Sequence, residues 1–282
     1  MMTQIMAGLK KEWLFIWRSF RFIGMVVIFL GSALLYPIMS AMMRWMSEAF
    51  EVMLEDVHDL NSVEAVEDLG VIADMLTLEL TYTSSLGMVA SGIVIVMIFL
   101  MGAAGGEQKK RSIIIPQTAG LTPSGYVLPK FMLYPPMVFV LTLVSAFATN
   151  GVCHLVFEQS YSLETVLLTG SLYGILMMFT VCFYLFLGIS LARPGLSVLY
   201  VFAANTVFNL MLTFAFKVDR FTPWNLTTMA DLHVMNLSPD VVTSANMTAT
   251  VVITLCLCVA FMLLTLFSMV AKRMDNTADE VF

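Results

Sequence analysis

Long apolar runs alternate with short polar breaks along this chain, and the runs are too long for the interior of a soluble domain. Several exceed about 18 residues without an ionisable side chain, the length at which a helix can cross the hydrocarbon of a bilayer. The pattern predicts six spans, at about 22–43, 84–104, 131–153, 165–191, 196–216 and 247–271. The fourth is long enough to require tilt. The breaks leave an acidic outer segment at 44–83, an inner charged island at 105–130 and an outer segment with two short helix-like runs at 217–246. Residues 1–282 read as one all-α transmembrane domain with both termini on the cytoplasmic side.

The chain opens with a different pattern. From Ile5 to Arg21, a 100° repeat places Ile5, Leu9, Trp13, Ile16, Trp17 and Phe20 on one face. Lys10, Lys11, Arg18 and Arg21 gather on the other, with Leu14 and Phe15 interrupting them. A basic helix with tryptophans on its apolar side suits a headgroup layer, so an interfacial helix is expected before the first span. The first apolar run is too long for the h-region of a cleavable signal peptide, and further spans follow it.

Charge fixes the expected orientation. With both termini inside, Lys10, Lys11, Arg18, Arg21, Lys109, Lys110, Arg111, Lys130, Arg193, Lys272 and Arg273 are internal, eleven in all. Arg44, Lys217 and Arg220 are the three outside, a clear positive-inside bias. The net charge of -6 therefore divides into an outer face near -12 and an inner face near +6, and implies no nucleic-acid partner.

Composition agrees: 59% of the 282 residues are apolar and 12% charged. Candidate chemistry is sparse. No Gly-x-x-x-x-Gly-Lys-Ser/Thr loop is present to cradle ATP phosphates. The ten acids between Glu48 and Glu79 lack calcium-loop spacing and read as a solvated face, partly amphipathic helix through Met46, Phe50, Leu54 and Val57. His58, His154 and His233 are too scattered for a zinc triad. Met39, Met42, Met43 and Met46 share a helical stripe that could hold Cu(I), but methionine packing accounts for it. Cys153, Cys182, Cys256 and Cys258 read as buried free thiols. No predicted span carries an ionisable residue in its interior, which argues against an ion-coupled carrier or a voltage sensor. Asn205 and Asn209, with Thr213 a turn beyond, share a face of the fifth span. Amides in lipid need partners, so this face should meet another subunit or line a pathway.

The charged island holds the remaining signal. It begins after Gly102-Ala103-Ala104-Gly105-Gly106, small residues that permit close helix contact. Glu107 to Ile115 can form a short helix ending before Pro116, and Thr122-Pro123 reads as an N-cap with proline at the first helical position. Irregular backbone is expected near Pro129 and Pro135-Pro136.

In layout the chain resembles the permease subunits of type-2 ATP-binding-cassette (ABC) exporters. The likeness rests on Lys10-Lys11-Glu12-Trp13 before the first span and on Glu107-Gln108-Lys109-Lys110-Arg111-Ser112 after the second. The latter run is followed by Leu121-Thr122-Pro123-Ser124 and by Gly125 to Lys130. Outer Thr222-Pro-Trp-Asn225 and the basic ending Lys272-Arg273 complete it. That resemblance implies a dimer of permease subunits, each docked on a separate ATPase that binds ATP and Mg, with no cofactor or catalytic residue in this chain. It also implies that Glu107, Gln108, Lys109, Lys110, Arg111, Ser112 and Ile113 form a coupling helix seated on the ATPase. Further implications are that the first, second and fifth spans border the pathway and that the 217–246 segment is partly re-entrant. The rival reading is a non-transporting sensor or assembly scaffold whose acidic segment binds a partner. A channel is disfavoured by the lack of a charged ring.

Overall fold

The computed structural model describes residues 2–54, 77–109, 122–214, 221–236 and 244–279. Its helices are α1 (Met2–Arg18), α2 (Arg21–Leu54), α3 (Leu78–Phe99), a single turn α4 (Gly106–Lys109), α5 (Pro123–Phe157), α6 (Leu163–Leu191), α7 (Pro194–Phe214), α8 (Asn225–Val234) and α9 (Ser244–Asp279). No strand occurs among the described residues. Among the described residues, five stretches are long and apolar enough to cross a membrane: Arg21–Met46, Leu78–Gln108, Pro123–Phe157, Leu163–Leu191 and Ser244–Ala271. The chain is thus an all-α, multi-pass membrane protein. The sixth expected span, 196–216, runs past the last described side chain of α7, and its described part, Pro194–Phe208, is a shorter apolar stretch.

Large apolar side chains face outward along these helices, as lipid contact requires. On α9, Leu255, Val259, Leu263 and Phe267 form one exposed stripe at steps of four. Many Ser and Thr hydroxyls inside the helical body bond within their own helices. Thr142, Ser145, Thr180, Thr250, Thr254 and Thr265 each donate to the carbonyl four residues earlier. Thr149 also donates to the Ala33 carbonyl at 3.2 Å, tying α5 to α2.

Several boundaries move. α3 starts at Leu78 rather than 84, where Thr77 caps it by accepting from the Leu80 amide, so the end of the acidic segment is helical. α2 runs on to Leu54, well past 43. α5 starts at Pro123 rather than 131: Thr122 accepts from the Gly125 amide at 3.2 Å, and proline occupies the first turn. The helix then continues through Pro129, Pro135 and Pro136 to Phe157, so the prolines expected to make the backbone irregular there do not end it. Packing against neighbouring helices lets membrane helices absorb prolines in this way. The interfacial helix ends at Arg18, not Arg21. Phe20 takes a left-handed φ of 55°, and Arg21 opens α2 instead of sharing the face of Lys10 and Lys11.

α6 sits at the centre, packed by α5, α9, α8, α7 and α3. Ser162 caps its start by accepting from the Thr165 amide, and Ala192 ends it in the left-handed region just before the Arg193-Pro194 turn. The small-residue run after α3 meets α6 backbone to backbone. Gly105 has φ +93°, and a Cβ on Gly188 would stand 2.5 Å from the Ala104 carbonyl oxygen. Only glycine allows that approach. Cys153, Cys182 and Cys258 are buried thiols as expected, whereas Cys256 is exposed because it points away from the bundle on the outer side of α9.

Candidate functional site

Two polar constellations lie within this apolar body. The first joins α1 to the start of α5 through positions 4, 8, 12 and 16, one stripe of a helix with 3.6 residues per turn. The Thr122 hydroxyl donates to Gln4 Oε1 at 2.7 Å. Gly8 lies so close to α5 that a Cβ there would meet Pro129 Cγ at 2.6 Å. Glu12 and Ile16 are buried. The packing face is therefore not the tryptophan face. Trp13, Trp17 and Phe20 are exposed, directed away from the bundle.

At the centre of that seam, Lys130 has 0% exposure and Glu12 4%. Lys130 Nζ donates to Glu12 Oε1 at 2.8 Å and to Glu107 Oε2 at 3.3 Å. The Tyr134 hydroxyl donates to the other Glu12 oxygen at 2.6 Å, and Lys11 pairs with Glu107 Oε1. The Lys130 ammonium also lies 4.5 Å from the centre of the Tyr126 ring. Two carboxylates and two ammoniums balance, so the buried charge is compensated and held by directional bonds. Three segments far apart in sequence, around Glu12, Glu107 and Lys130, are fastened at this point.

The second constellation is a cavity of about 410 Å³ between α3, α6, α7 and α8. α8 does not cross the bundle. It begins beside the middle of α6 and α7, where the Trp224 ring meets Phe179 edge-on and stacks on Phe208 at 4.1 Å. Trp224 Nε1 donates to Asn205 Oδ1 at 2.9 Å. About two turns further along α8, Asp231 accepts a 2.8 Å bond from the Tyr173 hydroxyl. Asp231, Tyr173, Asn205, Thr180, Thr227 and Ser91 give the cavity its polar wall, and Trp224 and Phe202 an aromatic one. Burial raises the Asp231 carboxyl from 3.8 to about 6, while the Tyr173 bond pulls the other way.

The residues singled out from sequence separate as follows. Asn205 lines this cavity and is partnered within the chain. The side chains of Asn209 and Thr213 lie outside the described residues, as do Lys110, Arg111, Ser112, Ile113 and the side chain of Lys109. Glu107 turns inward to Lys11 and Lys130, and Gln108 donates to Met269 Sδ at 3.1 Å, so both contact this chain. Lys10, Lys11, Trp13, Trp17 and Arg18 sit on the exposed sides of α1. Glu12, Lys130, Tyr134 and Asp231 were not marked as site residues. Lys130, expected on the inner surface, is the most deeply enclosed cation among the described residues. Glu12 had one available signal, being the lone acid in a basic helix. Asp231 had none, since its segment reads as an outer loop. No family model, no curated protein and no solved structure matches this chain.

Proposed function

We propose that this chain is the transmembrane subunit of an ATP-driven ABC exporter in a cytoplasmic membrane, working as a dimer with a separate ATPase. In this reading α7 supplies a sixth crossing. Its 21 residues extend about 31 Å, enough for the hydrocarbon layer of a bilayer. Both termini then face the cytoplasm, with eleven of fourteen cationic side chains on that side. The ATPase binds ATP and Mg, and its closure pushes on the island at 105–130. This chain carries no chemistry, only the transmission.

The observation that supports the reading best is the seam of Glu12, Glu107, Lys130 and Lys11. Glu107 opens the basic run Lys109-Lys110-Arg111, the segment offered to the ATPase. Force applied there reaches α1 through Lys11 and α5 through Lys130 without relying on a flexible linker. Charge in the basic run would set register on the ATPase, and Ile113 to Ile115 would supply burial.

The test is affinity purification of the full-length chain from its native membrane. A companion carrying a phosphate-binding Gly-x-x-x-x-Gly-Lys-Ser/Thr loop, with ATP hydrolysis in the purified complex, is the expected result. Replacing Lys109, Lys110 and Arg111 with alanine should release that companion while the chain stays folded. A chain that purifies without any nucleotide-hydrolysing partner would favour the sensor or scaffold reading instead. A complex that survives the triple replacement would move the docking site off this island.

A further inference from the structure

The geometry points to the cavity between α3, α6, α7 and α8 as a binding site for an organic ammonium ion, held by the Asp231 carboxylate against the Trp224, Tyr173 and Phe202 rings. This assignment is independent of any ATPase partner. Three features carry it. First, the volume of about 410 Å³ falls in the range of ligand pockets, ~300–1,000 Å³. Second, the charge is one-sided. Asp231 is the acid that lines the cavity, and none of α3, α6, α7 and α8 contains a lysine or an arginine. Its hydrogen-bond donor is the neutral Tyr173 hydroxyl, which leaves the negative charge without a counter-cation from these helices. The contrast with Lys130, which has two carboxylates of its own chain around it, marks this charge as one that a ligand can satisfy.

Third, the remaining wall selects among cations. A metal ion needs several oxygen ligands at short range, and a hydrated inorganic ion gains nothing from aromatic faces. Here one carboxylate is combined with indole, phenol and phenyl rings, the set that recognises organic ammonium groups through the ring quadrupole, best where alkylation lowers their hydration. The hydroxyls of Thr180, Thr227 and Ser91, with the Asn205 amide, can meet the polar group that such amines carry two or three bonds away. Choline and ethanolamine fit this description, either as free molecules or as headgroups of phospholipids. The shared chemistry is the ammonium group.

The experiment places the full-length protein in nanodiscs and titrates choline against 3,3-dimethylbutan-1-ol, its uncharged carbon isostere. Nanodiscs of phosphatidylglycerol alone report a free-amine site. Nanodiscs containing phosphatidylcholine or phosphatidylethanolamine, followed by native mass spectrometry of retained lipid, report a headgroup site. Thermal stabilisation and quenching of Trp224 emission, with Trp13, Trp17 and Trp45 replaced by phenylalanine, give the readouts. Expected is saturable choline binding in phosphatidylglycerol, or selective retention of ammonium lipids, with the isostere inert. Asp231→Asn should weaken either by about 30-fold or more, the usual cost of removing one member of an enclosed charge pair. The isostere comparison uses the unmodified Asp231 and so does not depend on how that variant folds. Binding of isostere and choline alike, an unaffected Asp231→Asn, or no ammonium ligand in either lipid setting would each overturn the assignment.

Discussion

The two polar constellations hold charge in opposite ways. At the seam, Lys130 is enclosed with Glu12 and Glu107, and its bonds close within the chain. In the cavity, half-buried Asp231 is bonded to an uncharged hydroxyl among the described residues, and its carboxyl is raised toward neutrality. A buried ion with its counter-ion acts as a fastener, since breaking the pair leaves a charge in a poor solvent. A half-buried ion with no counter-ion among the described residues is held in readiness, and a proton or a ligand completes it. Charge buried in an apolar body is thus informative only together with what faces it.

The largest effect separating the two should come from Lys130→Met. It removes the counter-ion of buried Glu12 and one partner of Glu107, and should cost about 3–5 kcal/mol, read as a fall in melting temperature in nanodiscs. Adding Glu12→Gln should restore part of the loss; a double variant as unstable as the single one would mean that the seam is not held by charge. On the cavity side the sign reverses. Because the folded pKa of Asp231 lies above its unfolded value, its contribution to stability is full at low pH and is lost as pH rises from 3.8 through about 6. In Asp231→Asn that decline, about 2–3 kcal/mol, should disappear, leaving the variant more stable than the parent at pH 8 in the absence of ligand. An unchanged pH profile would show that Asp231 is better solvated than its surroundings indicate.

Smaller effects sharpen the contrast. Thr122→Ala removes both the α5 cap and the bond to Gln4, and should cost about 1–2 kcal/mol in the same melt. Trp224→Phe keeps the ring stacking but loses the bond to Asn205, and should cost about 1 kcal/mol. If Trp224→Phe proved the more damaging of the two, α8 would be a structural plug rather than the wall of a site.

Much of the helical framework was legible, for reasons visible in particular residues. Uninterrupted apolar runs announce α2, α3, α5, α6 and α9, and Thr122-Pro123 announces a helix start. The ends were misplaced because helices continue beyond the apolar run once their polar turns are capped, as Thr77 does for α3. Asn205 was legible as an amide that had to find a partner. Glu12 was not, because sorting α1 by polarity finds the face that suits lipid, whereas the 4-8-12-16 stripe is chosen by shape and by one ion pair. Asp231 was hidden by topology: nothing in the order of residues says that α8 turns back beside Phe179 instead of staying outside.

The unbroken course of α5 through its three prolines has a mechanical consequence. From Lys130 to Phe157 it is a rod of about 40 Å. Pivoting that rod by about 5° at its lysine end would swing the opposite tip by roughly 3–4 Å, comparable to the length of the hydrogen bonds at its base. Small work done on one surface would therefore arrive at the other as a displacement large enough to part neighbouring side chains.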